Sequence, residues 1–284
     1  MRRRELGDRF GLGWRPALAA GILAHLDRID VVELIADDYL EADAATLRPL
    51  AALAAKVPVL LHGVSMGLAG AEPVEQRRLR AMGRLMRRIG AERWSEHLAF
   101  TRAAGIEIGH LAAPPRNPAS IEAAIANIGR AAGTTGTLPD VENIATLALP
   151  PGSTMDEAEW LGAVIRGSGA GLLLDLHNLY ANAVNGGADP FATLRRLPLD
   201  RVAQVHLGGG DWIEGPGGAK RLLDDHLHDV PAPVFALLGE LGRLTRHSLT
   251  VVIERDGAYP PMAQMLDELD RARGALALGR RQAA

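Results

Sequence analysis

Side chains of metal-binding type recur at the C-terminal ends of six successive predicted strands of this 284-residue chain. Each strand is a short apolar run, and a histidine, an aspartate or a glutamate lies at its end. These residues are His62, His97, Glu142, Asp175, His206 and Glu254. In a barrel of parallel strands all C-terminal ends open onto one rim, where side chains are more often catalytic than stabilising. The pattern therefore predicts one site built from residues that are distant in sequence.

Strands and helices alternate along the whole chain, which favours a parallel sheet covered by helices. We predict strands at 11–14, 31–36, 57–63, 93–98, 138–143, 171–176, 202–207 and 249–254, and helices near 16–27, 43–55, 74–89, 118–132, 155–167, 189–196, 233–245 and 260–277. Eight strand–helix units over roughly 250 residues are typical of an α/β fold of the (β/α)8 TIM-barrel kind. We expect one domain over 1–284, with flexible ends at 1–8 and 278–284.

Composition excludes several classes of function. The chain has 31 lysines and arginines against 34 aspartates and glutamates, a net charge of −3, so no strong field attracts nucleic acid. It has no cysteine, which excludes disulfides and thiolate ligands and fits a reducing compartment. The basic N-terminus lacks the apolar segment of a signal peptide, and no apolar run is long enough to span a bilayer. We predict a cytoplasmic protein that binds neither nucleic acid nor a membrane.

The candidate ligands outnumber those that one metal ion needs. The segment LLDDHLH adds Asp224 and His226 from a predicted loop, and Asn178 offers an amide three residues after Asp175. Imidazole combined with carboxylate suits iron, zinc or manganese, and one ion takes three or four protein ligands. The set therefore predicts two or three ions, with Glu142 placed to bridge them.

Each candidate also has a structural interpretation. A single histidine at a strand end is more often a hydrogen-bonded structural residue than a ligand. A carboxylate that closes an apolar strand, such as Glu142 or Glu254, needs a partner, which could be Arg255 or Arg116. Recurrence at six strand ends favours the metal interpretation over six independent coincidences.

Further residues of the rim are assigned weaker roles. Asp256 and His228 are near candidate ligands and are expected in an outer shell or as an acid or base. We predict Asp38, Arg116 and Asn117 as substrate-binding residues, the last two in a long loop at 110–118. A second long loop is expected at 208–229. His177 should alternate away from Asp175 and pack outside the pocket.

The motifs as a set resemble those of the multinuclear non-heme iron-dependent oxidative enzymes, whose best-known type is the oxidase of methanobactin biosynthesis. They are LHGVSM, SEHLAF, VENI, LLLDLHNLYANAVNGGADP, VHLGGGD, DDHLHDVP and VVIERDGAYP, and the resemblance runs from residue 11 to about residue 262. It implies a xylose-isomerase-like barrel holding two or three iron ions in mixed Fe(II)/Fe(III) valence, with O2 as co-substrate. It also implies an oxidoreductase that modifies residues, often cysteines, of a ribosomally made precursor peptide in natural product biosynthesis, with a possible partner protein that delivers the peptide.

The resemblance assigns the ligands residue by residue. They fall on His62, His97, Glu142, Asp175, Asn178, His206, Asp224, His226 and Glu254. One departure is visible after the seventh strand, where the family commonly reads H-L-A-G-H and this chain reads HLGGG from His206 to Gly210. We expect the missing histidine to affect the outer shell or substrate handling rather than the ligand set.

Three other functions remain open from the sequence. A three-zinc phosphodiesterase of endonuclease IV type has a similar ligand order, but it has a histidine where this chain has Asn178 and needs a basic groove. A sugar isomerase or epimerase needs one ion, which Glu142, Asp175, His206 and Glu254 could hold. A metal-storing or peptide-binding protein would keep the barrel without turnover.

Overall fold

The predicted strands close into one barrel in the computed structural model, which describes residues 7–215 and 218–283. The strands are β1 (Arg9–Trp14), β2 (Val31–Ile35), β3 (Val59–Gly63), β4 (Arg93–His97), β5 (Phe100–Ala103), β6 (Ile106–Ala112), β7 (Asp140–Glu142), β8 (Gly171–Asp175), β9 (Val202–Leu207), β10 (Gly210–Glu214), β11 (Lys220–Asp224) and β12 (Thr250–Ile253). The barrel order is β1-β12-β9-β8-β7-β4-β3-β2, and every pairing in it is parallel. The predicted (β/α)8 barrel is confirmed.

Helices cover the outside of the barrel. They are α1 (Ala19–Ala24), α2 (Ala44–Ala54), α3 (Gln76–Ile89), α4 (Pro118–Thr135), α5 (Glu157–Ser168), α6 (Leu176–Gly186), α7 (Pro190–Arg196), α8 (Ala232–Leu244) and α9 (Met262–Gln282). Helices α4 and α5 begin with capping boxes, in which Asn117 and Asp156 accept a hydrogen bond from the third residue of the helix. Between barrel and helices lies an apolar layer of fully buried side chains, among them Trp94. The helices thus exclude water from the strands that carry the candidate ligands.

The register of the parallel strands sets the level of the candidate ligands. His97 on β4 is paired with Glu142 on β7, and Asp175 on β8 is paired with His206 on β9. Glu254 follows β12 directly, and its amide donates a hydrogen bond to the carbonyl of Leu207. Because paired residues of parallel strands lie at the same height, these side chains meet inside the C-terminal mouth of the barrel.

Two β-hairpins replace the predicted loops. Strand β5 pairs with β6 in an antiparallel hairpin after the fourth barrel strand, and β10 pairs with β11 after the seventh. The loops expected at 110–118 and 208–229 are therefore wrong in part. Most residues of these hairpins are only partly buried, so they lack the continuous apolar run by which the barrel strands were recognised.

The two ends of the described chain are tied together. Residues 1–6 of the expected flexible N-terminal end, and residue 284, lie outside the described residues, but Asp8 pairs with Arg280 at 2.8 Å. Instead of a tail from 278 onward, α9 continues to Gln282. Within the described ranges, the structure has no helix both long and apolar enough to cross a membrane.

Candidate metal centre

Glu142 lies at the centre of the buried rim cluster. Its side chain is 1% exposed. Its Oε2 lies 3.2 Å from Nε2 of His62 and 3.3 Å from Nε2 of His97. Its Oε1 lies 3.1 Å from Nδ1 of His206. The two oxygens of one carboxylate therefore face two different sets of imidazole nitrogens.

The scaffold fixes the orientation of the first two imidazoles. Nδ1 of His62 lies 2.9 Å from Oγ of Ser95, and Nδ1 of His97 lies 3.3 Å from the carbonyl oxygen of Gly63. A hydrogen bond at one ring nitrogen sets the tautomer and leaves the other nitrogen for a ligand. Each Nε2 is thus directed at Glu142, and the possible ligand atoms of the three side chains all lie within 4.8 Å of one another.

A second group of donors shares Glu142 with the first. It consists of Glu142, Asp175, His206 and Glu254, all buried, with ligand atoms within 4.8 Å of one another. Nδ1 of His206 lies 3.0 Å from Oε2 of Glu254. One carboxylate belonging to both groups has the geometry of a ligand that bridges two ions.

The hairpin β10–β11 brings two more donors to the cluster. Asp224 is the last residue of β11, so it was wrong to expect it in a loop, and its Oδ1 lies 3.1 Å from Nε2 of His226. His226 has a left-handed backbone, with φ of 53°. Its Nδ1 lies 3.3 Å from Oδ2 of Asp256, whose Oδ1 accepts a hydrogen bond of 2.9 Å from Nε of Arg15. Asp256 therefore fixes one nitrogen of His226 and leaves the other beside Asp224.

Asp175 combines two roles because β8 runs directly into α6. Its Oδ1 accepts a hydrogen bond of 2.6 Å from the amide of Asn178 and so caps the helix. Its Oδ2 is buried and free of hydrogen bonds to the described residues. Asn178 donates from Nδ2 to the carbonyl of Asn143 at 3.0 Å, which leaves its Oδ1 as a buried acceptor.

The cluster brings several carboxyl groups together inside the protein, and their surroundings shift the pKa of each. Burial raises the pKa of Glu142, but the charges of His97, His206 and His62 outweigh it, so its pKa lies below the usual value. Burial, and then the charges of Asp224 and Glu142, raise the pKa of Asp175 well above the usual range. Burial raises the pKa of Asp224 too, but the hydrogen bond from His177 and the charge of His226 lower it to about 2. Several carboxylates share this space, so a cation would stabilise the cluster.

Buried side-chain atoms that form no hydrogen bond test whether these residues fit a metal ion. Among the described residues, twelve buried side-chain nitrogen or oxygen atoms form no hydrogen bond, and eight of them belong to this cluster. They are carried by Glu33, Glu142, Asp175, His177, Asn178, His206 and His226. Buried polar atoms normally have partners, so atoms of this kind concentrated in one place are expected where an ion binds. The donor set of imidazole and carboxylate fits a transition metal.

A cleft of about 210 Å³ opens onto the cluster. One side carries candidate ligands, namely His97, Asn178, Asp224 and His226. The remaining lining residues are uncharged and mostly apolar: Leu111, Ile144, Ala145, Thr146, Leu147, Leu222 and Leu223. Both hairpins contribute to these walls, so the insertions in the barrel shape the approach to the donors.

Comparison with known families identifies the family of this chain. The sequence model of the enzyme family described as "RiPP precursor modification enzyme MbnB/TglH/ChrH" matches residues 9–277. The chain belongs to this family. The resemblance inferred from the motifs is thereby confirmed. By its description, this is a family of enzymes that modify precursor peptides.

Relatives in the family are similar along almost the whole chain. A UPF0276 protein of Bordetella bronchiseptica is 34% identical over 274 residues, which is 96% of this chain and 94% of that protein. A UPF0276 protein of Streptomyces avermitilis is 34% identical over 277 residues and 94% of this chain. This chain spans about half, 54%, of that longer relative.

Solved structures with the same fold belong to different enzymes. The structure of an L-ribulose 3-epimerase matches with a TM-score of 0.63 at 16% identity and covers 97% of each chain. Endonuclease IV from Thermus thermophilus matches with a TM-score of 0.60 at 16% identity, covering 95% of this chain and 99% of its own. At such identity the likeness shows the fold alone, which is that of the xylose-isomerase-like barrels.

In the described part of the chain, no arginine forms an ion pair with a candidate ligand. Arg255 pairs with Asp229 at 2.6 Å, and Arg116 pairs with Glu157 at 3.3 Å. Glu254 instead approaches His206, as Glu142 does. The structural interpretation of these two strand-end carboxylates as arginine partners is therefore wrong.

The roles of four residues predicted for substrate binding or acid–base chemistry stay predictions. Asn117 caps α4 and donates to the carbonyl of Gly152 at 3.2 Å, and Arg116 forms its ion pair with Glu157. His228 is half exposed and contacts Asp225 at 3.0 Å. Asp38 is an exposed residue of the short 3-10 helix after β2. Among the described residues, none of these four forms a hydrogen bond or ion pair with a candidate ligand.

Three residues that contact the candidate ligands or their partners were missed or misplaced. Glu33 on β2 is 1% exposed, and its Oε1 lies 2.8 Å from Nε2 of His206. A lone charge inside the apolar run VVELI was the signal for it. Arg15, which follows the first strand, holds Asp256. The expectation that His177 alternates away from Asp175 is wrong, because residues two apart on a strand face the same side and α6 begins directly after Asp175. Its Nδ1 contacts Asp224.

Proposed function

We propose that this chain is an O2-dependent, multinuclear iron oxidase that modifies residues, often cysteines, of a ribosomally made precursor peptide. The family supports a precursor peptide as substrate. The donor set supports a transition metal, because it mixes imidazole nitrogen with carboxylate oxygen and contains no thiolate. We also propose that a partner protein delivers the peptide and that the enzyme works in the cytoplasm.

One observation carries the proposal, namely the position of Glu142 between two donor groups. Its two oxygens lie 3.1–3.3 Å from nitrogens of three histidines. His62 and His97 share one donor group with Glu142 and His206 shares another, while His62 and His206 also group with Glu33. Since each group has three or four donors, each can hold one ion, and Glu142 can serve both. Asp224 and His226 lie beside the second group and offer ligands for a third ion. Two or three iron ions are therefore part of the proposal.

The protein's own residues orient the donors and shape the approach. Iron, when bound, supplies the one-electron chemistry with O2 that protein side chains lack. Ser95 and the carbonyl of Gly63 fix His62 and His97, while Asp256 fixes His226. The mostly apolar cleft admits an uncharged part of the peptide and excludes bulk water from the donors.

A one-ion sugar epimerase is the second candidate, and one specific observation favours it. Glu142, Asp175, His206 and Glu254 form a compact buried set with enough donors for a single ion. The first donor group, His62 and His97 with Glu142, has no use in such an enzyme. The iron oxidase accounts for both groups, and so we prefer it.

An oxygen-dependent mass change of the peptide tests the proposed function. The iron-loaded protein is incubated with a precursor peptide encoded beside its gene, in air and under nitrogen, and the peptide is measured by mass spectrometry. We expect a changed mass only in air, with O2 consumed in proportion. The variant Glu142→Gln serves as the matched control and should give no product. An unchanged peptide in air, with iron fully loaded and the partner protein present, would refute the proposal.

A further inference from the structure

A buried histidine outside the assigned ligand set contacts one of the ligands. Nδ1 of His177 lies 2.8 Å from Oδ1 of Asp224. The histidine side chain is fully buried, and the aspartate side chain is 17% exposed. His177 lies in the first turn of α6, whereas Asp224 ends β11, so the contact joins helix α6 to the hairpin.

Helix α6 holds the same hairpin at a second point. The side chain of Asn185 accepts a hydrogen bond from the amide of Leu222 at 2.8 Å and donates one to its carbonyl at 2.9 Å. The backbone of β11 is therefore fixed by Asn185, two residues before Asp224. His177, in contrast, contacts the side-chain carboxylate of Asp224 and not the backbone of β11.

The hairpin can approach His177 because residue 210 has no side chain. A Cβ at Gly210 would lie 1.9 Å from the carbonyl oxygen of Leu223 and 2.7 Å from Cε1 of His177. Both distances are far below van der Waals contact, and the first involves backbone that cannot move alone. Gly210 is thus needed for the packing of His177 against the hairpin.

We propose that His177 is a positioning residue that holds the carboxylate of Asp224 for metal binding. This inference rests on the proposed metal centre. Nδ1–H donates to Oδ1 of Asp224, and Oδ2 stays available for an ion. Nε2 of His177 is buried and forms no hydrogen bond within the described ranges. Among the described residues, the ring therefore contacts the candidate ligands through Nδ1.

A pair of substitutions separates this hydrogen bond from the bulk of the ring. His177→Asn places an amide donor close to the position of Nδ1, whereas His177→Leu fills space without a donor. Loss of a residue that orients a metal ligand typically weakens metal binding by about 10- to 100-fold. We expect that loss in His177→Leu for the most weakly held ion, and an affinity within about threefold of the unsubstituted protein in His177→Asn.

The experiment is an anaerobic titration of Fe(II) against a chromophoric iron chelator. His25→Leu is the matched control, because the hydrogen bond of the His25 ring goes to the carbonyl oxygen of Gly21 on α1, away from the metal centre. Circular dichroism of the metal-free proteins checks that each variant folds, and His177→Ala replaces His177→Leu if that variant does not. Wild-type affinity in His177→Leu would overturn the inference, and so would an equal loss in His177→Asn. If the unsubstituted protein binds no iron, the proposed function itself fails.

Discussion

Replacing Glu142 by glutamine is expected to weaken the binding of two metal ions at once. Glutamine has nearly the same shape but loses the negative charge and one of the two oxygens. Because Glu142 belongs to both donor groups, each ion loses an anionic ligand. Asp175→Asn changes a residue of the second group alone, and His97→Gln changes a residue of the first group alone. These two variants are the matched controls.

The expected loss of stability follows from binding linkage. An ion present at about a thousand times its dissociation constant stabilises the fold by about 4 kcal/mol. If the loss of a ligand weakens the binding of an ion about 100-fold, which is the upper range for an outer-shell change, the stabilisation lost is about 2.7 kcal/mol per ion. Glu142→Gln should therefore lose about 5 kcal/mol of metal-dependent stability, and each control variant about half of that. For a domain of this size this is a drop in Tm of roughly 10–20 °C against 5–10 °C.

Calorimetry with and without iron measures this loss. Each variant is heated after anaerobic loading with Fe(II) and after treatment with a chelator, and the difference in Tm is compared between variants. Taking the difference removes the effect of the substitution on the metal-free fold. The bridging role of Glu142 is refuted if Glu142→Gln loses no more metal-dependent stability than Asp175→Asn or His97→Gln.

Three other substitutions give distinct outcomes. Asp256→Ala removes the partner of Nδ1 of His226 and should weaken iron binding about tenfold in a chelator titration, since outer-shell partners orient ligands. Leu147→Glu adds a charge to a wall of the cleft at a side chain that is 45% exposed, so KM for the peptide should rise about tenfold while iron content stays the same. Asn127→Ala removes hydrogen bonds to the amide of Val74 and the carbonyl of Gly70, and urea titration should show a loss of about 3 kcal/mol without loss of iron. An unchanged value in any of these assays contradicts the corresponding contact.

The barrel and the strand-end residues were predictable from the sequence for a physical reason. Buried parallel strands read as short apolar runs, and a polar residue that closes such a run must lie at the C-terminal mouth. His62, His97 and Glu142 were found in this way without knowledge of their contacts. Two donor groups sharing Glu142 could be anticipated from the excess of ligands, but the division into groups depends on strand register, which the sequence does not reveal.

The hairpins and α6 escaped prediction because their signals are weak. The hairpin strands are partly exposed, so they lack both a continuous apolar run and a clear alternation. Helix α6 begins immediately after Asp175, which is at once a strand end, a helix cap and a candidate ligand. A residue with three roles gives no separate sign that the helix starts there.

Elemental analysis joined to Mössbauer spectroscopy tests the central claim most directly. The protein is produced in medium enriched in iron-57 and purified without added metal, so that its own ions are counted and their valence and coupling are read. The proposal predicts two or three iron ions per chain, including an antiferromagnetically coupled pair of mixed Fe(II)/Fe(III) valence bridged through Glu142. Three zinc ions, or a single manganese or magnesium ion, would contradict it and would favour the phosphodiesterase or the epimerase instead.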